Sequence, residues 1–319
     1  MIHGLSRSFR TIRMKKGSII LASALALVSC NGENRSANGG TDTAPKYVLP
    51  VPPAVLIDRT ERTTYIIEHY WQGLDYADTA WLGDTPALEQ VFGEWAALLA
   101  RQPAGRNTEA AADAIARGSD YPDMQLRLLE LADHYFNDPN SPYRNEELYI
   151  PILKAVLEAP NIADIDKVRP RYQLEKAMMN RPGTRAADFA FVTRAGCVQR
   201  LSDLCADYAL LYFFNPDCHD CKRVAAYIAG SACFADLLLK DSLSVLAIYP
   251  DEDLNAWKKY ARSLPQEWIV ARYAHPDARK AYDLPAIPCL YLLDCNKTVV
   301  LKDAPVERIE EWLSDKVDQ

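Results

Sequence analysis

The chain has 319 residues, enough for about two domains. Hydrophobic residues make up 49% and charged residues 25%, which excludes a wholly disordered or fibrous chain. The net charge is −7, and residues 1–29 hold basic residues but no acid, so the remainder is more acidic still. A surface of that sign repels phosphate backbones, and nucleic acid is not an expected partner.

In chain order, the first feature is an address. Ile19 to Val28 is an unbroken apolar run preceded by Lys15 and Lys16. It is too short for a membrane span, which takes about 20 residues, and fits the apolar core of a secretory signal. Met14 stands directly before the lysines and is a second candidate start. The run closes in Leu27-Val28-Ser29-Cys30, which resembles a bacterial lipoprotein signal. The resemblance implies that residues 1–29 are removed and that Cys30 is acylated. Several acyl chains on one Cys anchor firmly. By the usual sorting convention Asn31, with no Asp and no acidic cluster following Cys30, points to the periplasmic face of the outer membrane. Residues 30–59 open with Gly, Asn, Ser and Thr and continue through Pro50, Pro52 and Pro53, a composition that reads as a flexible tether.

From 60 to 180 the periodicity is helical. Ile66, Ile67, Tyr70, Trp71 and Leu74 fall on one helix face, and Leu128, Leu131, Ala132, Tyr135 and Phe136 repeat the pattern. Further helical stretches cover 85–101, 107–117, 146–158 and 163–179, with Pro151 and Pro170 expected at helix starts or kinks. No fixed-period repeat is visible, so a solenoid is not expected. Glu68-His69-Tyr70-Trp71 echoes Asp133-His134-Tyr135-Phe136, which reads as packed helix ends rather than as a ligand site.

After Pro182-Gly183 the pattern changes. Strand-length apolar runs appear at 189–192, 208–214, 244–249, 289–293 and 298–301, separated in part by helical stretches at 218–239, 253–262, 276–282 and 306–316. Strands alternating with helices predict an α/β domain over 181–319, preceded by an all-α domain over 60–180.

The chemistry concentrates in Phe213-Phe214-Asn215-Pro216-Asp217-Cys218-His219-Asp220-Cys221-Lys222. A buried strand ends, Pro216 turns the chain, and a helix begins near Cys218. The helix N-terminus offers unpaired N–H groups and partial positive charge, which stabilise a thiolate. A spacing of i, i+3 puts Cys221 on the same face, with Cα atoms about 5 Å apart, inside the disulfide window. Cys218, the exposed member, is expected to attack, and Cys221 to resolve the mixed disulfide. A zinc site needs about four ligands, and no second C-x-x-C exists, so no metal is expected. A c-type haem needs His directly after the second Cys, where Lys222 stands. A purely structural disulfide fits the strand–turn–helix setting less well than redox chemistry. No cofactor beyond the Cys218–Cys221 pair is expected.

Residues 182–319 resemble a thioredoxin-fold domain of the TlpA/ResA-like thiol–disulfide oxidoreductases. The likeness is carried by Pro182-Gly183 with Ala187-Asp188-Phe189, by Gly196 and Leu201-Ser202-Asp203-Leu204, by the C-x-x-C, and by Ile287-Pro288 before Cys289-Leu290-Tyr291-Leu292-Leu293-Asp294. It implies that Pro288 is cis and lies against the active pair, and that the backbone at Ile287 pairs with an incoming substrate strand. Residues 60–180 resemble a helical domain of unknown function that precedes thioredoxin-like domains in bacterial lipoproteins, which brings no activity with it.

Three positions depart from the family. Asp217 replaces the usual Trp before the first Cys, His219-Asp220 replaces Gly-Pro or Pro-His, and Tyr212 stands where thioredoxins carry a buried Asp six residues before the first Cys. Asp217 and Asp220 disfavour a thiolate, whereas the helix end and a protonated His219 favour it. The two acids predict a reductant-leaning pair. Beyond Cys30 and the pair, Cys197, Cys205, Cys233, Cys289 and Cys295 are an odd set. Cys197 and Cys205 flank a turn that could bridge them. Cys289, next to Pro288, reads as a small buried hydrophobe, with a third thiol near the pair as the sharper alternative.

The leading expectation is a lipid-anchored, extracytoplasmic disulfide reductase acting on a disulfide-containing protein and fed by a membrane electron donor. Residues 182–214 also resemble peroxiredoxins, but Asn215 occupies the place of the hydroxyl that a thiol peroxidase needs three residues before its Cys. A third reading makes the helical domain a non-catalytic binding or assembly module on a scaffold.

Overall fold

The computed structural model describes residues 46–83, 86–102 and 107–317. The signal segment, Cys30 and the tether up to residue 45 lie outside the described residues. The stretch before 180 folds as α1 (Arg59–His69), α2 (Pro86–Ala100), α3 (Thr108–Ala116), α4 (Pro122–Ala132), α5 (Glu146–Glu158) and α6 (Val168–Ala177). Local chemistry sets their starts. The Asp58 carboxylate caps α1 by accepting from the Thr60 and Glu61 amides at 2.8 and 2.9 Å. Asn145 caps α5 by accepting from the Glu147 amide at 3.1 Å. Pro122 opens α4, where its missing N–H is not needed. Pro170 lies in the first turn of α6. Pro151, expected at a start or a kink, sits inside α5 and removes the N–H that would bond the Glu147 carbonyl.

The apolar stripes of these helices meet in one aromatic core. Trp71 and Trp95 pack edge to face at 5.1 Å, and Phe92 and Trp95 at 5.3 Å, with Phe136 against Trp95 at 5.8 Å. The two echoing motifs thus deliver Trp71 and Phe136 to the same interior, as packing. Asp133, in the π-turn Asp133–Asn137 that ends α4, gathers Tyr149, Gln173 and Asn137 at 3.1, 2.7 and 2.8 Å and pairs with Arg169. One expectation needs correction. The tether does not run loose to residue 59, because Tyr47 stacks on Tyr70 at 5.1 Å and its hydroxyl donates to the Tyr70 carbonyl at 3.0 Å. The Val48 amide bonds the Gly73 carbonyl at 3.2 Å, an approach so close that a Cβ on Gly73 would collide with Val48.

From residue 190 onward the chain builds a seven-stranded mixed sheet in the order β2-β1-β5-β4-β3-β6-β7. The strands are β1 (Ala190–Thr193), β2 (Val198–Arg200), β3 (Tyr208–Phe213), β4 (Leu243–Tyr249), β5 (Ile269–Tyr273), β6 (Cys289–Asp294) and β7 (Val299–Lys302). β3, β4 and β5 run parallel, and β6 returns antiparallel beside β3. The helices are α7 (His219–Gly230), α8 (Ala232–Leu239), α9 (Leu254–Ala261) and α10 (Val306–Val317). Along β3, Leu210 and Tyr212 face a core built with α7 to α10, and Ala209, Leu211 and Phe213 face a second core with Phe189, Phe191, Tyr273 and Tyr282. This is a thioredoxin-like α/β fold following a helical region. Two strands, β2 and β5, exceed the five expected. The stretch 218–239 is two helices, because Ser231 turns extended (ψ 131°) and caps α8 through the Phe234 amide at 3.2 Å. The stretch 276–282 is a 3-10 turn.

By their contacts, the described residues fall within a single compact unit. The fastening between helices and sheet is polar. Lys302, the last residue of β7, donates to the Ala177 and Met179 carbonyls at 3.1 and 2.7 Å and pairs with Glu146 at 2.7 Å, its side chain 5% exposed. Asp303 pairs with Arg144, and Glu147 with Arg181. The outer edge of β7 is met by the chain leading to β1, the Gly183 amide donating to the Val299 carbonyl and the Val299 amide to the Thr184 carbonyl, both at 2.8 Å. A buried ammonium deprived of its partners, or partners deprived of their ammonium, is costly. Lys302→Met is therefore expected to lower unfolding free energy by about 3 kcal/mol. A urea midpoint by near-ultraviolet dichroism equal to the parent's would show that the clamp contributes nothing.

Candidate active site

The site begins where β3 stops. Asn215 folds the chain back, its side-chain oxygen accepting from the Asp217 amide at 2.9 Å and its amide group donating to Asp251 at 2.7 Å. Both polar ends of Asn215 are thus engaged in shaping the turn. Cys218 then takes the N-cap position of α7 in an extended conformation (φ −77°, ψ 120°). Its sulfur accepts from the Cys221 amide at 3.0 Å, the interaction a capping oxygen would normally make. A negative charge at that sulfur meets the positive end of the helix and one directed N–H.

The two sulfurs differ in surroundings. Cys218 is half-buried and Cys221 is fully buried; both are free thiols. Burial pushes the Cys221 thiol up to about 12, and the Cys218 hydrogen bond and the Asp220 charge add to the rise. Cys221 is therefore a neutral thiol at pH 7. Tyr212, buried beneath the pair, donates to the Cys221 carbonyl at 2.6 Å. Burial and the neighbouring sulfurs raise its phenol far above its ordinary value. It stays protonated and braces the first turn of α7, so it cannot replace a carboxylate as proton acceptor. Tyr260 of α9, which packs on Phe214 at 5.3 Å, is likewise raised by burial and by both sulfurs. Nothing in the sequence marked Tyr260, since its proximity depends on the packing of α9 on β3.

The Ile287–Pro288 peptide bond is cis, and the Ile287 carbonyl lies 3.5 Å from the Cys218 sulfur, close enough to accept a weak S–H bond. The structure thus brings Cys218, Cys221, Ile287 and Pro288 together. Asp217, His219 and Asp220 are exposed around the rim. Asp220 lies 3.7 Å from Arg223, which also reaches Glu307 at 3.3 Å.

Cys289 does not join them. It pairs in register with Phe213 and belongs, fully buried, to the core on the sheet face opposite Cys221. That placement corrects the third-thiol alternative, because the sheet stands between Cys289 and the pair. Burial pushes its thiol up to about 12. Cys197, Cys205 and Cys295 are exposed free thiols, and the half-buried Cys233 accepts from the Ser314 hydroxyl at 3.4 Å. Among the described residues no three His, Cys, Asp or Glu side chains converge as a metal site.

Residues 28–180 match a family described as a domain of unknown function (DUF5106), and residues 206–299 match one described as thioredoxin-like. The chain is similar to a thioredoxin-like protein from Bacteroides caccae, with 37% identity, a TM-score of 0.81, and coverage of 84% of this chain and 98% of that one. It is also similar to the C-terminal domain of an uncharacterized protein from Bacteroides fragilis (39% identity, TM-score 0.41, covering 42% of this chain and 98% of that one). The thioredoxin domain of a thiol–disulfide oxidoreductase from Bacteroides vulgatus aligns at 17% identity and TM-score 0.38, over 43% of this chain and 98% of that one. Among curated proteins there is no match.

The contrast between the sulfurs sets an order of reactivity. At pH 7, limited iodoacetamide should modify Cys218 at least about tenfold faster than Cys221, which should stay unmodified to about pH 9. Peptide mass mapping that found equal labelling of both would contradict the assignment of roles.

Proposed function

The chain belongs to the thioredoxin-like proteins, and on that premise we propose that it is a thiol–disulfide oxidoreductase of the TlpA/ResA-like kind, working as a disulfide reductase. The observation that carries this reading is the Cys218 sulfur itself, capped by an amide at 3.0 Å, 3.5 Å from the Ile287 carbonyl, with a buried thiol one turn behind it.

The reaction balances as two exchanges. The Cys218 thiolate attacks one sulfur of a substrate disulfide, forming a mixed disulfide and releasing the other substrate sulfur as a thiolate. Burial is the main reason Cys221 keeps its proton, and bonding to Cys218 removes the part of the hold that the Cys218 sulfur adds. Cys221 then loses its proton and attacks the Cys218 sulfur, releasing the second substrate thiolate. The substrate gains two electrons, its two thiolates take up the proton shed by Cys221 and one more from water, and the pair ends as a Cys218–Cys221 disulfide. A membrane-borne dithiol donor, itself oxidised to a disulfide, returns it to the dithiol. The backbone at Ile287 pairs with the approaching substrate strand, and Pro288 holds that backbone against the pair. Asp217, His219 and Asp220 tune the sulfurs. A lipid on Cys30 would keep the protein at the periplasmic face of the outer membrane, where a reductase depends on such a donor.

The reduced protein should speed insulin-disulfide reduction by dithiothreitol. Cys218→Ser should abolish that gain, and Cys221→Ser should accumulate a mixed disulfide at Cys218. An undiminished rate in Cys218→Ser would sink the proposal.

The direction follows from charge. Asp220 adds to the rise of the Cys221 thiol. A protein that disfavours thiolates withholds from its reduced form the stabilisation a thiolate would give, so the pair gives up electrons readily. Equilibration with a dithiothreitol or glutathione series should give a potential nearer thioredoxin's, about −270 mV, than DsbA's, about −120 mV. A value at the DsbA end would reverse the direction assigned here.

A further inference from the structure

A cleft of about 620 Å³ runs beside the cis loop, within the range of about 300–1,000 Å³ typical of ligand clefts. One side is built by Ile287, Pro288 and the α7 side chains Asp220 and Val224. The other side comes from the helical region, from the segment 139–147 that joins the π-turn to α5. We propose that this cleft is the substrate groove of the dithiol, that segment 139–147 is its second wall, and that it selects an extended polypeptide carrying a cationic side chain beside its disulfide. The inference rests on the redox reading and names the substrate class of that same site.

Position is the first argument. Ile287 and Pro288 line the cleft, and the Ile287 carbonyl touches the Cys218 sulfur. The Cys218 sulfur stands just past that lining, so a chain laid along the cleft is led by Ile287 to the attacking atom. The wall is also set in place before any substrate arrives. The Ser141 hydroxyl donates to the Tyr135 carbonyl at 2.6 Å and accepts from the Tyr143 amide at 3.2 Å. Asp138 holds the Asn140 amide at 2.8 Å. Glu146 and Arg144, at the end of the same segment, are fastened to Lys302 and Asp303. A wall already ordered costs little further entropy on binding.

Charge decides the class of occupant. The acids deep in the cleft are matched, Glu146 by Lys302, Glu147 by Arg181 and Asp303 by Arg144. At the mouth they are not. Asp220 and Glu307 share the single guanidinium of Arg223, their side chains 69% and 52% exposed. A cationic side chain entering between these carboxylates gains attraction, whereas an anionic disulfide is repelled.

The experiment uses the full chain, reduced and freed of reductant, against three mixed disulfides of one chromogenic aromatic thiol. One joins it to a lysine-flanked cysteine peptide, one to a glutamate-flanked peptide of equal length, and one to neutral 2-mercaptoethanol. In each case the Cys218 thiolate attacks the aliphatic sulfur and releases the chromogenic thiolate, and Cys221 then expels the peptide or mercaptoethanol thiolate as the Cys218–Cys221 disulfide closes. Each peptide rate is divided by the neutral rate of the same variant. At low salt the lysine peptide should react about tenfold faster than the glutamate peptide, and high salt should shrink that gap. Asn140 is exposed on the helical wall. Asn140→Lys should narrow the gap about threefold, and Asn140→Trp should slow both peptides several-fold relative to the neutral compound. Equal peptide rates in the parent, or a gap and peptide rates untouched by both variants, would overturn the proposal. Failure of the neutral compound to react at all would instead overturn the redox reading beneath it.

Discussion

A sulfur at a free amide in the first turn of a helix is the constraint on which this site depends. The Cys218 sulfur takes the place of a capping oxygen, and the Cys221 amide is its partner. That single bond fixes three things together. It orients the attacking atom toward the Ile287 carbonyl, it supplies an N–H to any charge that develops there, and it draws Cys221 into the first turn, where burial keeps it a thiol. The strand behind it, β3, lies between β4 and β6 and cannot shift without breaking both ladders. Tyr212 then ties the first turn of α7 down to that strand.

What could be read from the sequence was local. A strand, a Pro-bearing turn and a helix follow one another within residues 208–230, and their order places two cysteines one turn apart. The strands that were missed have physical reasons. β2 is three exposed residues, Val198 to Arg200, with no alternation to show. β5 carries Arg272 next to its last residue and follows a loop rather than a recognisable helix, although it sits near the centre of the sheet. The break at Ser231 was hidden because the apolar period runs on through α8. The helical region's interior was legible through its aromatic stripes, but its attachment was not. Lys302 reads as a solvated lysine at a strand end, and its acceptors lie more than a hundred residues earlier in the chain.

The departures from the thioredoxin pattern gain a physical meaning in the structure. A carboxylate at position 212 would sit in the apolar ground under the pair. A phenol there is satisfied by one carbonyl and stays neutral. The acids have moved outward, to Asp217 and Asp220 on the rim, where water supports them, and the field of Asp220 still reaches the buried thiol. The same rim gives the mouth of the cleft its sign. On the function proposed above, redox poise and substrate preference would draw on overlapping carboxylates, and a change at Asp220 would move both.

The Lys302 ammonium has a geometric corollary. It rests on three oxygens that arrive from separate places, one from the start of α5 and two from the end of α6. Three supports define a seating, as the feet of a tripod do, and leave neither tilt nor slide. Asp303, the next residue, locks the arrangement through Arg144. The span across the cleft is consequently gauged at the tip of one strand, by two adjoining side chains.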